Sequence, residues 1–142
     1  MLSLIDLKVG QDLPGRVKQI TQDDINLYAK ASRDYNPIHI DPAFALQTPS
    51  GGTIAHGMLV LALVSQMMTE AFGLNWLSGG HFNIRFKTPA RPGDVLTIRG
   101  RIEKIEIQGR QTQIVCSVSC ANQNHESNIT GEALVKADIP SP

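Results

Sequence analysis

A chain of 142 residues with thirteen basic and thirteen acidic side chains has no net charge at neutral pH and no long run of like charges, which turns the reading away from nucleic acid and from anionic membrane surfaces. That length has room for one hydrophobic core, so residues 1–142 are expected to form a single domain. No apolar stretch approaches the roughly twenty residues of a membrane span, and Asp6 interrupts the N-terminal apolar residues too early for a secretory leader, so a cytoplasmic location is expected.

In chain order, Leu13–Ile20 is short, partly alternating and broken by Pro14-Gly15, and predicts a brief opening strand. Thr21 followed by Asp24 is a capping box, and Ile25, Tyr28 and Ala29 form the apolar stripe of a first helix that should end near Ser32. Beyond it lies Asp34-Tyr35-Asn36-Pro37-Ile38-His39-Ile40-Asp41-Pro42. Pro37 disfavours helical backbone at Asn36 and fixes its own φ, so the chain is expected to reverse between Asp34 and His39 and turn the two side chains toward one another. Asp41-Pro42 then signals a short helix through Phe44 to Leu46, and Thr48–Gly52 a loop.

From Gly57 to about Phe72 the residues are apolar on nearly every face until Ser65 and Gln66, which predicts a helix buried on all sides. After Gly73 the period becomes two. Phe82, Ile84 and Phe86 alternate with Asn83, Arg85 and Lys87, and two further runs, around Leu96–Ile102 and Ile129–Val135, do the same. The alternation slips near Lys104, predicting a bulge in a long strand, and Gln108-Gly109-Arg110 supplies a hairpin turn. Cys116 and Cys120 share one strand face, four residues apart, too far for a disulfide, and are expected to be buried free thiols. The pattern alone predicts an α+β chain in which a meander of strands covers an apolar helix.

Three blocks carry a resemblance. Ser32 to His39 with Asp41-Pro42-Ala43-Phe44-Ala45, then Ala55-His56-Gly57-Met58-Leu59, then Phe86 through Asp94, together resemble the MaoC-like (R)-specific enoyl-CoA hydratases and dehydratases, the first block being similar to their hydratase 2 motif. Arg33 departs from that motif, which usually has glycine before the aspartate. The resemblance implies a hot-dog fold, a curved antiparallel sheet wrapped around a buried central helix, and a homodimer. It implies reversible hydration of trans-2-enoyl thioesters, with coenzyme A as the expected carrier, acyl carrier protein as the other, and no metal or redox cofactor.

Hydration needs an acceptor for the proton of water, a donor to C2 and a partner for the negative charge on the thioester oxygen. A carboxylate and an imidazole, which titrates near neutral pH, suit the first two tasks, and these are assigned to Asp34 and His39. The unpaired N–H groups at a helix start suit the third, which falls to the Gly57 amide. Asn36 is expected to brace the pair. Ser65, two turns along the helix from Gly57, is expected to support the site, as the resemblance suggests.

His56 is expected to be structural, and His81 and His125 receive no role. Arg85, Lys87, Arg91, Arg99 and Arg101 are mostly solvated charges, of which one or two would meet the phosphates of coenzyme A. Leu46, Trp76 and the loop from Thr48 to Ala55 are expected to line the acyl tunnel. Two alternatives remain on the same fold: a thioesterase, in which water attacks the carbonyl carbon, and a non-catalytic acyl-binding subunit.

Overall fold

The first helix begins where its capping box places it. In the computed structural model, which describes residues 1–138, the Thr21 hydroxyl accepts from the Asp24 N–H at 3.1 Å and the Asp24 carboxylate accepts from the Thr21 N–H at 3.0 Å. Helix α1 spans Gln22–Ser32 and is preceded by strand β1, Arg16–Gln19, shorter than the predicted opening strand because Pro14-Gly15 lies outside it. Two short helices follow, α2 (Pro37–Ile40) and α3 (Pro42–Leu46), each with proline in its first turn and each capped by the side chain before it, Asn36 and Asp41. The long apolar segment is helix α4, Gly57–Phe72.

Gly73, at φ 55°, ends α4 and opens α5, Leu74–Gly79, a helix that the sequence pattern did not reveal. Four strands complete the chain: β2 (His81–Phe86), β3 (Val95–Gln108), β4 (Gln111–Ala121) and β5 (Ser127–Asp138). All neighbours pair antiparallel, in the order β1-β3-β4-β5-β2. The register of β3 against β4 shifts between Ile102 and Lys104, the predicted bulge. At Gly131 of β5, with φ 155°, a Cβ would come within 2.3 Å of the Asn83 carbonyl, so the close approach of β2 to β5 requires glycine.

The sheet curves around α4 in the hot-dog arrangement. Leu96, Ile98, Ile102, Ile114, Val118, Ile129 and Val135 turn inward onto Val60, Val64, Met67, Met68, Ala71 and Phe72 of the helix, all fully or almost fully buried. Each large apolar side chain removed from water in this way contributes on the order of 1.5–3 kcal/mol. Ion pairing adds a link at the rim, where Arg16 of β1 meets Glu70 of α4.

Burial of α4 on all sides is corrected by the structure. Met58 remains 57% exposed, and Ala62 and Gln66 are exposed as well, so one apolar face of α4 is open. With Leu61, Ser65, Trp76, Leu77 and Phe82 that face bounds a groove of about 710 Å³. Periodicity counts apolar residues and does not distinguish a neighbour within the chain from one outside it.

Cys116 and Cys120 are free and wholly buried among the core side chains. Burial pushes both thiols from an ordinary 9.0 up to about 12, with the Glu103 carboxylate adding to the effect at Cys116. The unfolded chain would ionise them near 9.0, so their neutral state leaves stability intact below pH 9, and stability falls as pH rises from there toward 12. At pH 8 a water-soluble disulfide reagent is expected to titrate neither cysteine in the native protein and both after denaturation. Rapid labelling of either thiol without denaturant would contradict this placement.

Candidate active site

Helix α1 stops because the next residue leaves the right-handed region. Arg33 has φ 59° and ψ 22°, the left-handed conformation that explains the glycine usual at this position, and a side chain there costs about 1 kcal/mol. The Ser32 hydroxyl donates to the Tyr28 carbonyl at 2.8 Å and accepts from the Asp34 N–H at 3.2 Å, which fixes the exit of the chain. Asn36 then ties the two candidate side chains together. Its N–H donates to Asp34 Oδ1 at 3.2 Å, its carbonyl accepts from the His39 N–H at 2.9 Å, and its side chain caps α2 by accepting from the Ile38 N–H at 3.1 Å. Asn36 thus lies between the two residues and touches both through its backbone groups.

His39 is held from two sides. Its Nδ1 lies 2.7 Å from the Ile54 carbonyl, and since a carbonyl only accepts, the ring proton sits on Nδ1 and Nε2 is left with a free lone pair. Gln22, the first residue of α1, donates to the His39 carbonyl at 2.8 Å and accepts from the Thr53 hydroxyl at 2.7 Å, clasping the backbone of α2 to the loop before α4. An Asp34 carboxylate oxygen and a His39 ring nitrogen lie within 4.8 Å of one another. One water, reaching each acceptor over about 2.8 Å, spans such a gap. The reversal read from Pro37 therefore brings the pair together.

His39 shares a cavity with the start of α4, while Asp34 does not line it. His56 offers no side-chain cap there, and among the described residues the Gly57 and Met58 N–H groups have no hydrogen-bond partner. Together with the helix dipole they form an end that attracts negative charge. A cavity of about 210 Å³ opens in front of this end, walled by His39, Gly57, Val60, Phe86, Pro89 and Asn128. The Phe86 ring lies so close that a Cβ on residue 57 would meet it at 3.1 and 3.2 Å, which explains the glycine. Asn128, buried on β5, donates to the Thr88 carbonyl at 3.0 Å, while the Ala90 carbonyl accepts from the Ala55 N–H at 2.7 Å. The first bond ties the Lys87–Ala90 wall to β5 and the second ties it to the residues that precede α4.

His56 has a larger place than the sequence suggested. Its ring is 3% exposed, stacks on His39 with centroids 3.8 Å apart and planes 26° apart, and has the Tyr28 ring 4.8 Å away. Asp34, His39 and His56 present donor atoms within 4.8 Å, a grouping that invites a metal ion. Nearly parallel rings do not suit one: two in-plane lone pairs cannot both meet an ion about 2.1 Å from each nitrogen. One nitrogen of each ring also faces a carbonyl, Ile54 for His39 and Asp34 for His56.

Ser65 is not brought to this site. Its hydroxyl accepts from the Trp76 indole N–H at 2.9 Å in the groove along the open face of α4. Trp76 lies there too, against Phe82, and Leu46 is 67% exposed, so neither lines the cavity beside Gly57. Of the five basic residues, Lys87 borders the cavity and Arg91 approaches Gly52 nearby. Arg101 pairs with Asp12 at 2.9 Å beside Arg99, in a depression lined by β3 and β4 residues that shares no residue with the cavity. Ile54 and Ala55, at the end of the loop expected to line a tunnel, do line this cavity, whereas Gln22 and Asn128 were not legible as site residues, since their tertiary contacts are encoded by no local spacing.

Comparison with known proteins places this geometry in a family. Residues 7–124 match the family model described as MaoC like domain, and the chain belongs to that family. It is 31% identical to the (R)-specific enoyl-CoA hydratase of Aeromonas caviae over 137 residues, 95% of this chain and 98% of that protein. It is 38% identical to Nodulation protein N of Rhizobium leguminosarum bv. viciae over 122 residues, 77% of this chain and 72% of that protein. The solved structure of an unliganded R-hydratase from Pseudomonas aeruginosa superimposes with a TM-score of 0.79 at 27% identity, covering 97% of this chain and 90% of the other.

The left-handed backbone at residue 33 has a measurable consequence. Arg33→Gly is expected to raise the free energy of unfolding by about 0.5–1 kcal/mol in urea titration, because the steric penalty disappears. A loss of stability instead would mean that the arginine side chain supports the turn.

Proposed function

We propose that this protein catalyses the reversible addition of water to trans-2-enoyl thioesters, giving (R)-3-hydroxyacyl thioesters, with coenzyme A as the carrier. The observation that carries the reading is the approach of an Asp34 carboxylate oxygen and a His39 ring nitrogen to within 4.8 Å, with His39 also lining the cavity at the free Gly57 amide. Similarity to an (R)-specific enoyl-CoA hydratase over nearly the whole of both chains supports it.

The Asp34 carboxylate and the free Nε2 of His39 accept the two O–H bonds of one water. Its oxygen bonds to C3 of the enoyl group while one of its protons passes to the dyad. Electron density moves through C2 to the thioester oxygen, where the Gly57 N–H and the positive end of α4 stabilise it. The dyad then returns its proton to C2. Both hydrogens and the oxygen of water end in the product, so the reaction involves no net oxidation or reduction and needs no redox cofactor. The dehydratase direction retraces the same steps.

The apolar lining offered by Val60, Phe86, Pro89 and Ala90 suits the reacting end of an acyl group. Lys87, which lines the cavity, is in this reading the basic group that meets a phosphate of the carrier. The open apolar face of α4, next to edge strand β2, is where a second copy of the chain would pack as a homodimer. Among the described residues no helix is long and apolar enough to cross a membrane. A cytoplasmic location, expected from the sequence, is part of the proposal.

Asp34→Asn and His39→Gln are each expected to lower turnover of crotonyl-CoA by about a hundredfold or more, followed as loss of absorbance by the conjugated thioester. Asp34 is exposed and its side chain accepts from the Asn36 N–H, a bond that asparagine preserves, so the thermal midpoint of that variant should stay close to wild type. Full activity in either variant would remove the dyad from the mechanism, and release of free thiol in place of hydration would establish a thioesterase. Gly57→Ala, pressed against Phe86, is expected to cost about tenfold or more in kcat by shifting the donor amide. Unchanged kcat would place the thioester oxygen elsewhere.

A further inference from the structure

We infer that His56 is the positioning residue of this site: its ring holds the plane of His39 and ties the Asp34 peptide to the peptide that carries the Gly57 amide. The inference rests on the hydratase reading and extends it to a side chain outside the dyad.

Three contacts converge on this one residue. Its ring covers His39 face to face at 3.8 Å, so the His39 imidazole cannot tilt away from the Ile54 carbonyl without losing the stack. Its Nε2 lies 3.0 Å from the Asp34 carbonyl, which only accepts, so Nε2 carries the proton and donates. Its own carbonyl accepts from the Leu59 N–H at 3.0 Å and the Val60 N–H at 3.3 Å, fixing the orientation of the His56–Gly57 peptide and with it the amide that faces the cavity. Acid, imidazole and helix amide are thus linked through a single side chain and its peptide.

Packing alone does not account for a histidine here. His56 Nδ1 and Thr112 Oγ1 are the only buried side-chain polar atoms without a partner among the described residues, and an unpartnered buried nitrogen is unfavourable. Phenylalanine would fill the space between Tyr28 and His39 without that cost. What phenylalanine lacks is the donor at the ε position, and only an aromatic ring bearing that donor both stacks on His39 and reaches the carbonyl of Asp34. The unfavourable nitrogen accompanies a positional task.

The test separates the two contacts and uses a readout independent of turnover. In the folded wild-type protein, ¹⁵N spectra of the neutral rings are expected to show the proton of His39 on Nδ1 and that of His56 on Nε2. Finding the His56 proton on Nδ1 would overturn the inference without any variant. His56→Phe keeps the stack and loses the donor, so the His39 signature should persist while kcat for crotonyl-CoA falls about tenfold to a hundredfold with KM within about threefold. His56→Gln keeps an amide donor and loses the stack, so the His39 ring should show both tautomers and kcat should fall by a similar factor. An unchanged His39 spectrum together with unchanged kcat in the folded variants would overturn the assignment. If wild type hydrates no enoyl thioester, the functional reading fails, and the ring spectra still decide whether His56 positions His39.

Discussion

The site depends on the interruption of helical structure between Ser32 and Pro37. A continuous helix would separate residues 34 and 39 by almost one and a half turns, on different faces of the cylinder. Left-handed backbone at Arg33 ends α1, and proline at the first position of α2 starts a new axis. Within that break Asn36 bonds to both partners, and the carbonyl of Ile54 then selects the ring nitrogen of His39 that stays free. The chemistry proposed for the dyad follows from this reversal before any ligand is considered.

The core determines where the other half of the site lies. Val60, Val64, Met67 and Phe72 anchor α4 inside the curved sheet, so its first turn emerges at a constant place beside the loop from Lys87 to Ala90. That anchoring holds the free amides at the start of α4 in place, and the helix dipole adds positive potential there, which together suit a developing negative charge better than amides on a mobile loop. Phe86 packs tightly over residue 57, where a Cβ would meet its ring at 3.1 Å. In the proposed reaction one helix serves both the apolar core and the developing charge.

Much of this was legible from short-range patterns. The capping box at Thr21, the paired Asp41-Pro42, the apolar run from Gly57 and the slip in alternation near Lys104 each encode a local event, and each occurs where its residues stand. The Asp34–His39 approach was legible because proline constrains its own neighbours. What escaped was tertiary. Helix α5 is only six residues long and has no repeat to betray it, Ser65 shares a helix with Gly57 yet faces a different groove, and α4 leaves one apolar face open. His56 looked structural because its stack on His39 and its bond to Asp34 join segments 17 and 22 positions away.

The central claim is spatial, that one water between Asp34 and His39 faces a thioester whose oxygen rests on the Gly57 amide. The most direct measurement is a crystal structure of the wild-type protein with a bound (R)-3-hydroxyacyl-CoA, whose C3 oxygen marks where that water's oxygen ends. The account predicts this oxygen within hydrogen-bond distance of both the Asp34 carboxylate and His39 Nε2, with the thioester oxygen on the Gly57 N–H. A C3 hydroxyl turned away from either side chain, or a thioester oxygen held by another donor, would contradict it.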